Sequence, residues 1–135
     1  MQSEPNVRSQ LASQYEDRRI RDLERRMDYD IRYHKVMLYS KTYCPYSHRI
    51  KRILAKYDIQ DMKTVELDLE ADMAIMQDHL KYISGSRTVP QLYIRGRYVG
   101  GHEETAQKDE SGELERLLKR AYAIRQSYRN QRKRT

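Results

Sequence analysis

Apolar residues in the middle of the chain alternate between strand-like runs and helical spacing. Val36 to Tyr39 is a short β-favouring run, and a helical spacing of apolar residues begins at Ile50. Thr64 to Asp68 indicates a second strand. After it, Asp72 is the predicted N-cap of a helix that runs to about Ile83. The pattern therefore predicts two strands, each followed by a helix.

The pattern then becomes that of a β-hairpin. Gln91 to Arg95 and Arg97 to Val99 are β-favouring runs on either side of Gly96. Helices should follow from about Glu103 and from Gly112 to about Ile124. A βαβ crossover pairs its strands in parallel and a hairpin pairs them antiparallel. The whole order predicts an α/β fold with a four-stranded mixed sheet flanked by helices.

A charged segment precedes this region. Residues 1–8 are predicted to be disordered, and from about Ser9 to Tyr33 the chain is dense in arginine, aspartate and glutamate. Its few apolar residues form a thin stripe at helical spacing: Leu11, Ile20, Leu23, Met27 and Ile31. We interpret the segment as an extra N-terminal charged helix that lies on the surface of the domain. A partner-binding or dimerising helix is the alternative.

Charge divides the chain into three parts. Residues 1–35 form the charged, partly helical extension, residues 36–124 form one domain, and residues 125–135 form a basic tail. The net charge is +7, and the tail contains five basic residues and no acidic residue. Such a tail can touch nucleic acid or an acidic membrane surface, but it is more often a solvated helix end. We therefore predict no specific nucleic-acid binding.

Cysteine usage and hydropathy bear on the compartment. A chain with one cysteine cannot form an internal disulfide, and it fits a reducing compartment. No apolar run approaches the roughly 20 residues that a membrane span needs. The N-terminus is also too charged for a secretory signal. We expect a cytoplasmic protein without a membrane span.

The single cysteine lies where it should be reactive. Cys44 follows the first strand, and Pro45 suits the first position of the next helix, so Cys44 is the predicted N-cap. Unpaired NH groups and the positive end of the helix dipole favour a thiolate there. Lys41, Arg49 and Lys51 add positive charge nearby. Cys44 is therefore the candidate nucleophile.

The residues around Cys44 resemble the active site of glutaredoxins, in which a lysine lies three residues before Cys-Pro-Tyr-Cys. Here the segment is Lys41-Thr42-Tyr43-Cys44-Pro45-Tyr46-Ser47, and three further motifs follow in the order found in that family: Arg87-Thr88-Val89-Pro90, Gly100-Gly101 and Ser111-Gly112-Glu113-Leu114. The resemblance covers roughly residues 36–123. It implies that the predicted fold is thioredoxin-like and that Cys44 is the catalytic nucleophile.

The resemblance also implies a glutathione site. Its residues would be Lys41, Tyr46, Gln77, Arg87, Thr88, Val89, Pro90, Gly101, His102 and Glu103. Among them, Lys41, Gln77 and Arg87 match positions that hold the glycine carboxylate. The backbone of Val89 would pair with the tripeptide, and Pro90 would have a cis peptide bond facing the thiol. The helix after the glycine pair would receive the γ-glutamyl carboxylate at its N-terminus.

Two positions depart from the family pattern. Ser47 replaces the second cysteine, so a dithiol cycle is excluded. The resemblance then implies a monothiol enzyme that reduces protein-glutathione mixed disulfides with glutathione as co-substrate. His102 replaces a small residue, and the Glu103-Glu104 pair after it suits a helix start and can reach the γ-glutamyl ammonium.

A glutathione-ligated [2Fe-2S] carrier dimer is the alternative from another class, with Cys44 as the metal ligand of each chain. Pro45 argues against it, because dedicated carriers in the family have glycine beside the cysteine. We otherwise expect no metal, since Cys44 and His48 alone do not make a zinc site. A monomer is the expected state, and a dimer is the alternative.

Other polar and aromatic residues are assigned to packing. Three histidines are predicted to lie on the surface: His34, His79 and His102. The chain has no phenylalanine or tryptophan, so tyrosine supplies all aromatic packing. Tyr39, Tyr93 and Tyr98 are expected to be buried in strands, so some of their hydroxyl groups must find hydrogen-bond partners.

Overall fold

The structure, a computed structural model, describes residues 6–125. Its helices are α1 (Val7–Tyr33), α2 (Pro45–Ala55), α3 (Met73–Ser84), α4 (His102–Ser111) and α5 (Glu113–Arg120). Its strands are β1 (Val36–Ser40), β2 (Met62–Glu66), β3 (Gln91–Ile94) and β4 (Arg97–Gly100). The predicted order of elements is confirmed.

The four strands form one mixed sheet in the order β2-β1-β3-β4. β1 pairs with β2 in parallel, with Val36 opposite Met62. β1 pairs with β3 antiparallel, with Val36 opposite Ile94, and β3 pairs antiparallel with β4. The predicted mixed sheet is therefore confirmed, and β1 lies in its interior.

The sheet separates two hydrophobic clusters, because successive side chains of a strand point to opposite faces. Val36 and Leu38 belong to one cluster, with α2 and α5, and Met37 and Tyr39 belong to the other, with α1 and α3. The first cluster also contains Ile50, Leu54, Leu92, Ile94, Leu114, Leu118, Ala121 and Ala123. The second also contains Leu23, Met27, Ile31, Leu67, Met76, Leu80 and Tyr93.

The N-terminal helix lies on the domain along its second half. Leu23, Met27 and Ile31 are buried in the second cluster, whereas Leu11 is 59% exposed. This confirms the extra helix and supports its interpretation as a helix that covers the sheet. The helix begins at Val7, two residues before the predicted start, because the side chain of Asn6 caps it by accepting from the Ser9 NH at 2.8 Å.

Two predicted boundaries are wrong. β2 is Met62–Glu66 instead of 64–68, because Leu67–Leu69 turns into a short 3₁₀ helix that buries Leu67. The last helix ends at Arg120 instead of near Ile124. Tyr122 there has a left-handed φ of 56°, and its carbonyl accepts from Lys35 Nζ at 2.9 Å. Tertiary contacts thus replace the last helical turn.

Three side-chain predictions also fail. Asp72 lies at the N-cap of α3 but makes no cap hydrogen bond, because its carboxylate accepts from Arg19 at 2.7 Å. Tyr98 is 40% exposed because it lies on the edge strand β4. His79 is buried between α1 and α3, with its Nε2 2.7 Å from Asp28 Oδ1. Tyr39 and Tyr93 are buried as predicted.

Residues 126–135, which make up most of the basic tail, lie outside the described residues. Within residues 6–125, none of the helices has both the length and the apolar character that crossing a bilayer requires.

Candidate active site

Cys44 lies at the junction of β1 and α2. It is the N-cap residue of α2, and Pro45 takes the first helical position, as the sequence predicts. Its carbonyl accepts from the His48 NH at 3.1 Å, which closes the first turn of the helix. The thiol is partly exposed, and its Sγ lies 4.0 Å from the carbonyl oxygen of Val89. The sulfur therefore faces both the helix N-terminus and the loop before β3.

The pKa of the Cys44 thiol lies below its ordinary value. Burial alone raises this pKa, but the NH and hydroxyl of Ser47 donate to the thiolate and lower it. The NH of Tyr46 and the positive charge of Lys41 lower it further. The net shift favours the thiolate, the nucleophilic form of a cysteine.

Ser47 also fixes the turn that presents the thiol. It is fully buried, and its Oγ accepts from the backbone NH of Lys41 at 3.2 Å. Its hydroxyl can therefore orient towards the thiolate while its oxygen holds the chain before it. The position of the second motif cysteine is occupied here by a hydrogen-bonding anchor.

Two of the three cations expected near the thiol are engaged elsewhere. Lys51 forms an ion pair with Glu66, and the guanidinium of Arg49 lies over the Tyr46 ring, 5.4 Å from its centroid. Lys41 is the cation whose charge lowers the thiol pKa.

The loop between β1 and Cys44 is held by three hydrogen bonds that sequence reasoning missed. The Thr42 NH donates to Asp68 at 2.9 Å, and its hydroxyl donates to the same carboxylate. These contacts hold the pKa of Asp68 below its usual value. His48 Nε2 donates to the carbonyl of Thr42. Thr42 and Asp68 are 26 residues apart, so no local pattern signals their contact.

A groove of about 360 Å³ opens beside the thiol. The peptide bond between Val89 and Pro90 on its wall is cis, as the resemblance implies. Seven of the predicted glutathione residues line the groove: Tyr46, Thr88, Val89, Pro90, Gly101, His102 and Glu103. Ser86, Tyr98 and Glu104 also line it and were not predicted as site residues.

The far end of the groove is the start of α4. The Glu104 carboxylate folds back and accepts from the Gly101 NH at 3.1 Å. Gly100 has a φ of 136°, and a Cβ built there would lie 2.6 Å from the Cβ of Glu104, so only glycine allows this approach. The His102 ring packs against Tyr46 with 5.8 Å between centroids. Glycine at an N-cap followed three residues later by glutamate was the available signal for this cap.

Comparison with known proteins agrees with this geometry. A sequence model of the glutaredoxin family matches residues 36–99. A protein of Caenorhabditis elegans, named as an uncharacterized monothiol glutaredoxin, is 52% identical over 118 residues, which are 87% of this chain and 81% of the relative. The chain belongs to the glutaredoxin family. This glutaredoxin has a single cysteine, so its active-site motif contains one thiol. The relative is also named as a monothiol glutaredoxin.

Solved structures extend the likeness to the fold. This glutaredoxin is similar to oxidized glutaredoxin 2 from Chlamydomonas reinhardtii, with a TM-score of 0.73, 37% identity, and coverage of 78% of this chain and 98% of the other. It is also similar to a buckwheat glutaredoxin-glutathione complex, with a TM-score of 0.74, 29% identity, and coverage of 78% and 96%. The thioredoxin-like fold is thus confirmed, and glutaredoxins are thiol oxidoreductases.

The remaining predicted site residues of this glutaredoxin do not line the groove. Lys41 lies in the turn before Cys44. Gln77 and Arg87 contact each other, because the Gln77 amide donates to the Arg87 carbonyl at 3.2 Å. The Arg87 guanidinium is paired with Asp78 at 2.8 Å and donates to the carbonyl of Ala74 at 3.3 Å. Arg87, in the loop after α3, thus packs against that helix, and neither Gln77 nor Arg87 lines the groove.

A single chain of this glutaredoxin does not fit an iron-sulfur cluster. Such a cluster needs about four ligands, and the chain supplies one thiolate. Among residues 6–125, no group of three or more histidine, cysteine, aspartate or glutamate side chains is arranged to hold a metal ion. Any cluster would need ligands from outside the chain.

Proposed function

We propose that this glutaredoxin is a glutathione-dependent oxidoreductase that reduces protein-glutathione mixed disulfides by a monothiol mechanism. The observation that carries the proposal is the position of Cys44. Its sulfur has a lowered pKa at the N-terminus of α2 and lies 4.0 Å from the Val89 carbonyl on the groove wall. A stabilised thiolate beside a peptide-sized groove is what attack on a glutathione sulfur requires.

In the first step, the Cys44 thiolate attacks the glutathione sulfur of the mixed disulfide. The bond between Cys44 and glutathione forms as the bond between glutathione and the client protein breaks. The electron pair leaves on the client sulfur, which takes a proton from solvent. The groups that stabilise the Cys44 thiolate, among them the NH and hydroxyl of Ser47, hold the nucleophile ready before attack.

In the second step, the thiolate of a free glutathione attacks the glutathione sulfur bound to Cys44. Glutathione disulfide leaves, and Cys44 returns as a thiolate with the electron pair of the broken bond. The released disulfide joins the glutathione that came from the client to the free glutathione, so one free glutathione is oxidised for each client thiol released. Ser47 has no thiol with which to displace glutathione from Cys44, so the second glutathione is obligatory.

Glutathione itself would lie along the groove. Its backbone would pair with Val89 like an added strand, and its γ-glutamyl carboxylate would meet the N-terminus of α4. Glu103 would face the γ-glutamyl ammonium, and the Tyr46 and His102 rings, in contact with each other, would form one wall. This end already holds the Glu104 carboxylate, which accepts from the NH of Gly101, the N-cap residue of the helix.

The glycine end of glutathione would lie towards Lys41, Gln77 and Arg87. The Arg87 guanidinium is paired with Asp78, so the glycine carboxylate would compete with Asp78 for it. A buckwheat relative in complex with glutathione supports the choice of ligand.

We place the protein in the cytoplasm, because its single free thiol suits a reducing compartment.

The test is turnover of a peptide-glutathione mixed disulfide, coupled to glutathione reductase and NADPH. We expect turnover by the wild-type protein and none by Cys44→Ser, in which no other thiol can contribute background. A matched substrate, the same peptide disulfide-bonded to cysteine, should react about tenfold more slowly or worse, because it lacks the groups that the groove binds.

Equal rates on both substrates would contradict the proposal that the groove binds glutathione specifically. The same anaerobically prepared protein is also examined for visible absorbance. Negligible turnover together with a coloured, glutathione-dependent dimer would replace the enzyme proposal by the iron-sulfur carrier.

A further inference from the structure

A second groove lies at the other end of the sheet from Cys44. Its floor includes Ile94, which pairs with Val36 at the start of β1, whereas Cys44 follows the end of β1 at Ser40. The four residue steps of β1 separate the two ends by roughly 13 Å of strand. The two grooves share no lining residue.

This second groove has about 400 Å³ of space and is lined by three arginines and two apolar residues: Arg95, Arg97, Arg120, Ile94 and Leu117. We call it the arginine groove. No acidic residue lines it. Within residues 6–125, none of its three guanidinium groups forms an ion pair, whereas cations such as Lys56 and Lys63 do. The groove therefore concentrates uncompensated positive charge at one place.

The arginine groove is built by the hairpin and α5 together. Arg95 and Gly96 form the turn between β3 and β4 with φ values of 53° and 78°. A left-handed φ is costly for residues other than glycine, asparagine and aspartate, so the turn itself does not favour an arginine. The Arg95 guanidinium donates to the Arg120 carbonyl at 3.4 Å. The backbone NH of Arg95 donates to the Lys35 carbonyl at 2.9 Å.

We propose that the arginine groove binds a phosphorylated small molecule of the nucleoside polyphosphate class. Guanidinium groups match phosphate oxygens with two parallel hydrogen bonds, and three of them suit a ligand with several negative charges. Leu117 and Ile94 offer an apolar surface for a flat, uncharged part of the same molecule. The space falls within the range of small-molecule sites.

The concave shape decides between ligand classes. A membrane surface or an extended nucleic acid is attracted by charge spread over a face, whereas a groove with three guanidinium groups around an apolar floor encloses one small molecule. The site lies away from Cys44, so binding there is independent of the thiol chemistry.

The test uses the full chain and measures binding by calorimetry at about 150 mM salt, where distant surface charges are screened. The probes are inorganic triphosphate and adenosine triphosphate. We expect saturable one-to-one binding of both, tighter for the nucleotide because its base contacts the apolar floor. The variant Arg97→Gln/Arg120→Gln should bind about tenfold or more weakly, because charge-assisted hydrogen bonds are lost.

The matched control is Arg18→Gln/Arg21→Gln, which removes the same charge from exposed positions of α1. It should bind within about twofold of the wild type. Absence of saturable binding, or an equal loss in the control, would overturn the proposal. So would tighter binding of a short single-stranded RNA or of anionic vesicles, which would indicate diffuse attraction.

Two readouts keep a loss of binding interpretable. Arg97→Gln/Arg120→Gln should keep the wild-type thermal midpoint and the wild-type turnover of the glutathione mixed disulfide, since neither residue lies near Cys44. If the variant unfolds, the single variants Arg97→Gln and Arg120→Gln replace it in the same titration, and wild-type affinity in both would overturn the proposal.

Discussion

The two faces of the sheet are covered by chemically different layers. The face under α2 and α5 is aliphatic, with a buried cluster made of valine, leucine, isoleucine and alanine. The face under α1 and α3 contains three methionines and two tyrosines in its cluster. It also holds His79 in a buried position, and the buried hydroxyl of Tyr39 has no hydrogen-bond partner among residues 6–125.

The difference follows from what each face must hold. α2 begins at the reactive cysteine, and branched aliphatic side chains pack with few alternative arrangements, so they fix the position of the helix start. α1 is an added helix with a thin apolar stripe. It is held by methionines that adapt to irregular space and by polar contacts such as His79 with Asp28 and Arg19 with Asp72.

The largest expected effect is a loss of packing on the aliphatic face. Leu54→Ala removes a side chain that is 1% exposed and should lower the free energy of unfolding by about 2–5 kcal/mol. Met27→Ala, at 2% exposure on the other face, should cost less, because neighbouring methionines can fill part of the space. Urea unfolding of both variants measures the difference.

Turnover sharpens the same comparison. At a temperature where both variants are folded, Leu54→Ala should slow turnover because it loosens α2, whereas Met27→Ala should leave turnover close to that of the wild type. Equal effects on turnover would contradict the idea that the aliphatic face positions the thiol.

The next effect concerns the polar attachment of α1. His79 lies with Nε2 2.7 Å from Asp28 and Nδ1 3.1 Å from Glu24. His79→Ala should lower the free energy of unfolding by about 1–3 kcal/mol, since it removes a buried hydrogen-bonding group that joins α3 to α1. In His79→Ala, amide hydrogen exchange should become faster than in the wild type, and the increase should be larger in α1 than in α2.

Tyr82→Ala is the control for this variant, because Tyr82 stacks on His79 but is 86% exposed. It should change the free energy of unfolding by less than about 0.5 kcal/mol. A loss as large as that of His79→Ala would mean that stacking, and not the contacts to α1, holds the histidine.

A smaller effect is expected from removing the positive charge of Lys41, which stabilises the Cys44 thiolate. The pKa of Cys44 is lowered, so its alkylation rate should stay high as the pH falls and drop only when the pH passes that lowered pKa. Lys41→Gln removes a favourable positive charge, raises the pKa and moves the drop to higher pH. At pH values below the wild-type pKa, the rate should fall by about twofold to fivefold.

The rate of alkylation by iodoacetamide against pH measures this shift. Lys81→Gln is the matched control, because Lys81 is an exposed lysine of α3 on the other face of the sheet. An identical pH profile for Lys41→Gln and the wild type would remove Lys41 from thiolate stabilisation.

The smallest effect distinguishes the two buried tyrosines. The Tyr93 hydroxyl donates to the Gln91 side chain at 2.7 Å, so Tyr93→Phe should lower the free energy of unfolding by about 1 kcal/mol. Tyr39→Phe removes a hydroxyl with no partner among residues 6–125 and should raise it by up to about 1 kcal/mol. Thermal unfolding of both variants shows whether each substitution raises or lowers stability. A clear loss of stability in Tyr39→Phe would contradict the conclusion that the Tyr39 hydroxyl has no partner among residues 6–125.

Much of the fold could be predicted because its signals are local. The alternation of β-favouring runs and helical spacing depends on neighbouring residues, and so does the turn at Gly96. The boundaries at Asp68 and Ile124 were wrong for a different reason. No local sequence pattern predicts that Asp68 binds Thr42. The chain after Arg120 leaves the helical path, and the carbonyl of Tyr122 there accepts from Lys35.

The candidate site shows the same division. The position of Cys44 at the N-cap and the cis bond before Pro90 follow from a residue type in a recognisable motif. The Glu104 cap had a signal in its spacing from Gly101. The pairing of Arg87 with Asp78 had none, although it bears on how a carboxylate would be bound.

The sequence by itself determined the chemistry available to this protein: one thiol, no internal resolving cysteine, and a helix start beside that thiol. These depend on composition and on residues adjacent in the chain. Only the tertiary structure decided that His79 is buried, that Ser47 anchors the turn, and that three arginines share one groove. Such contacts depend on how helices and strands pack, because distances between residues far apart in sequence are set only when the whole sheet and its two layers are in place.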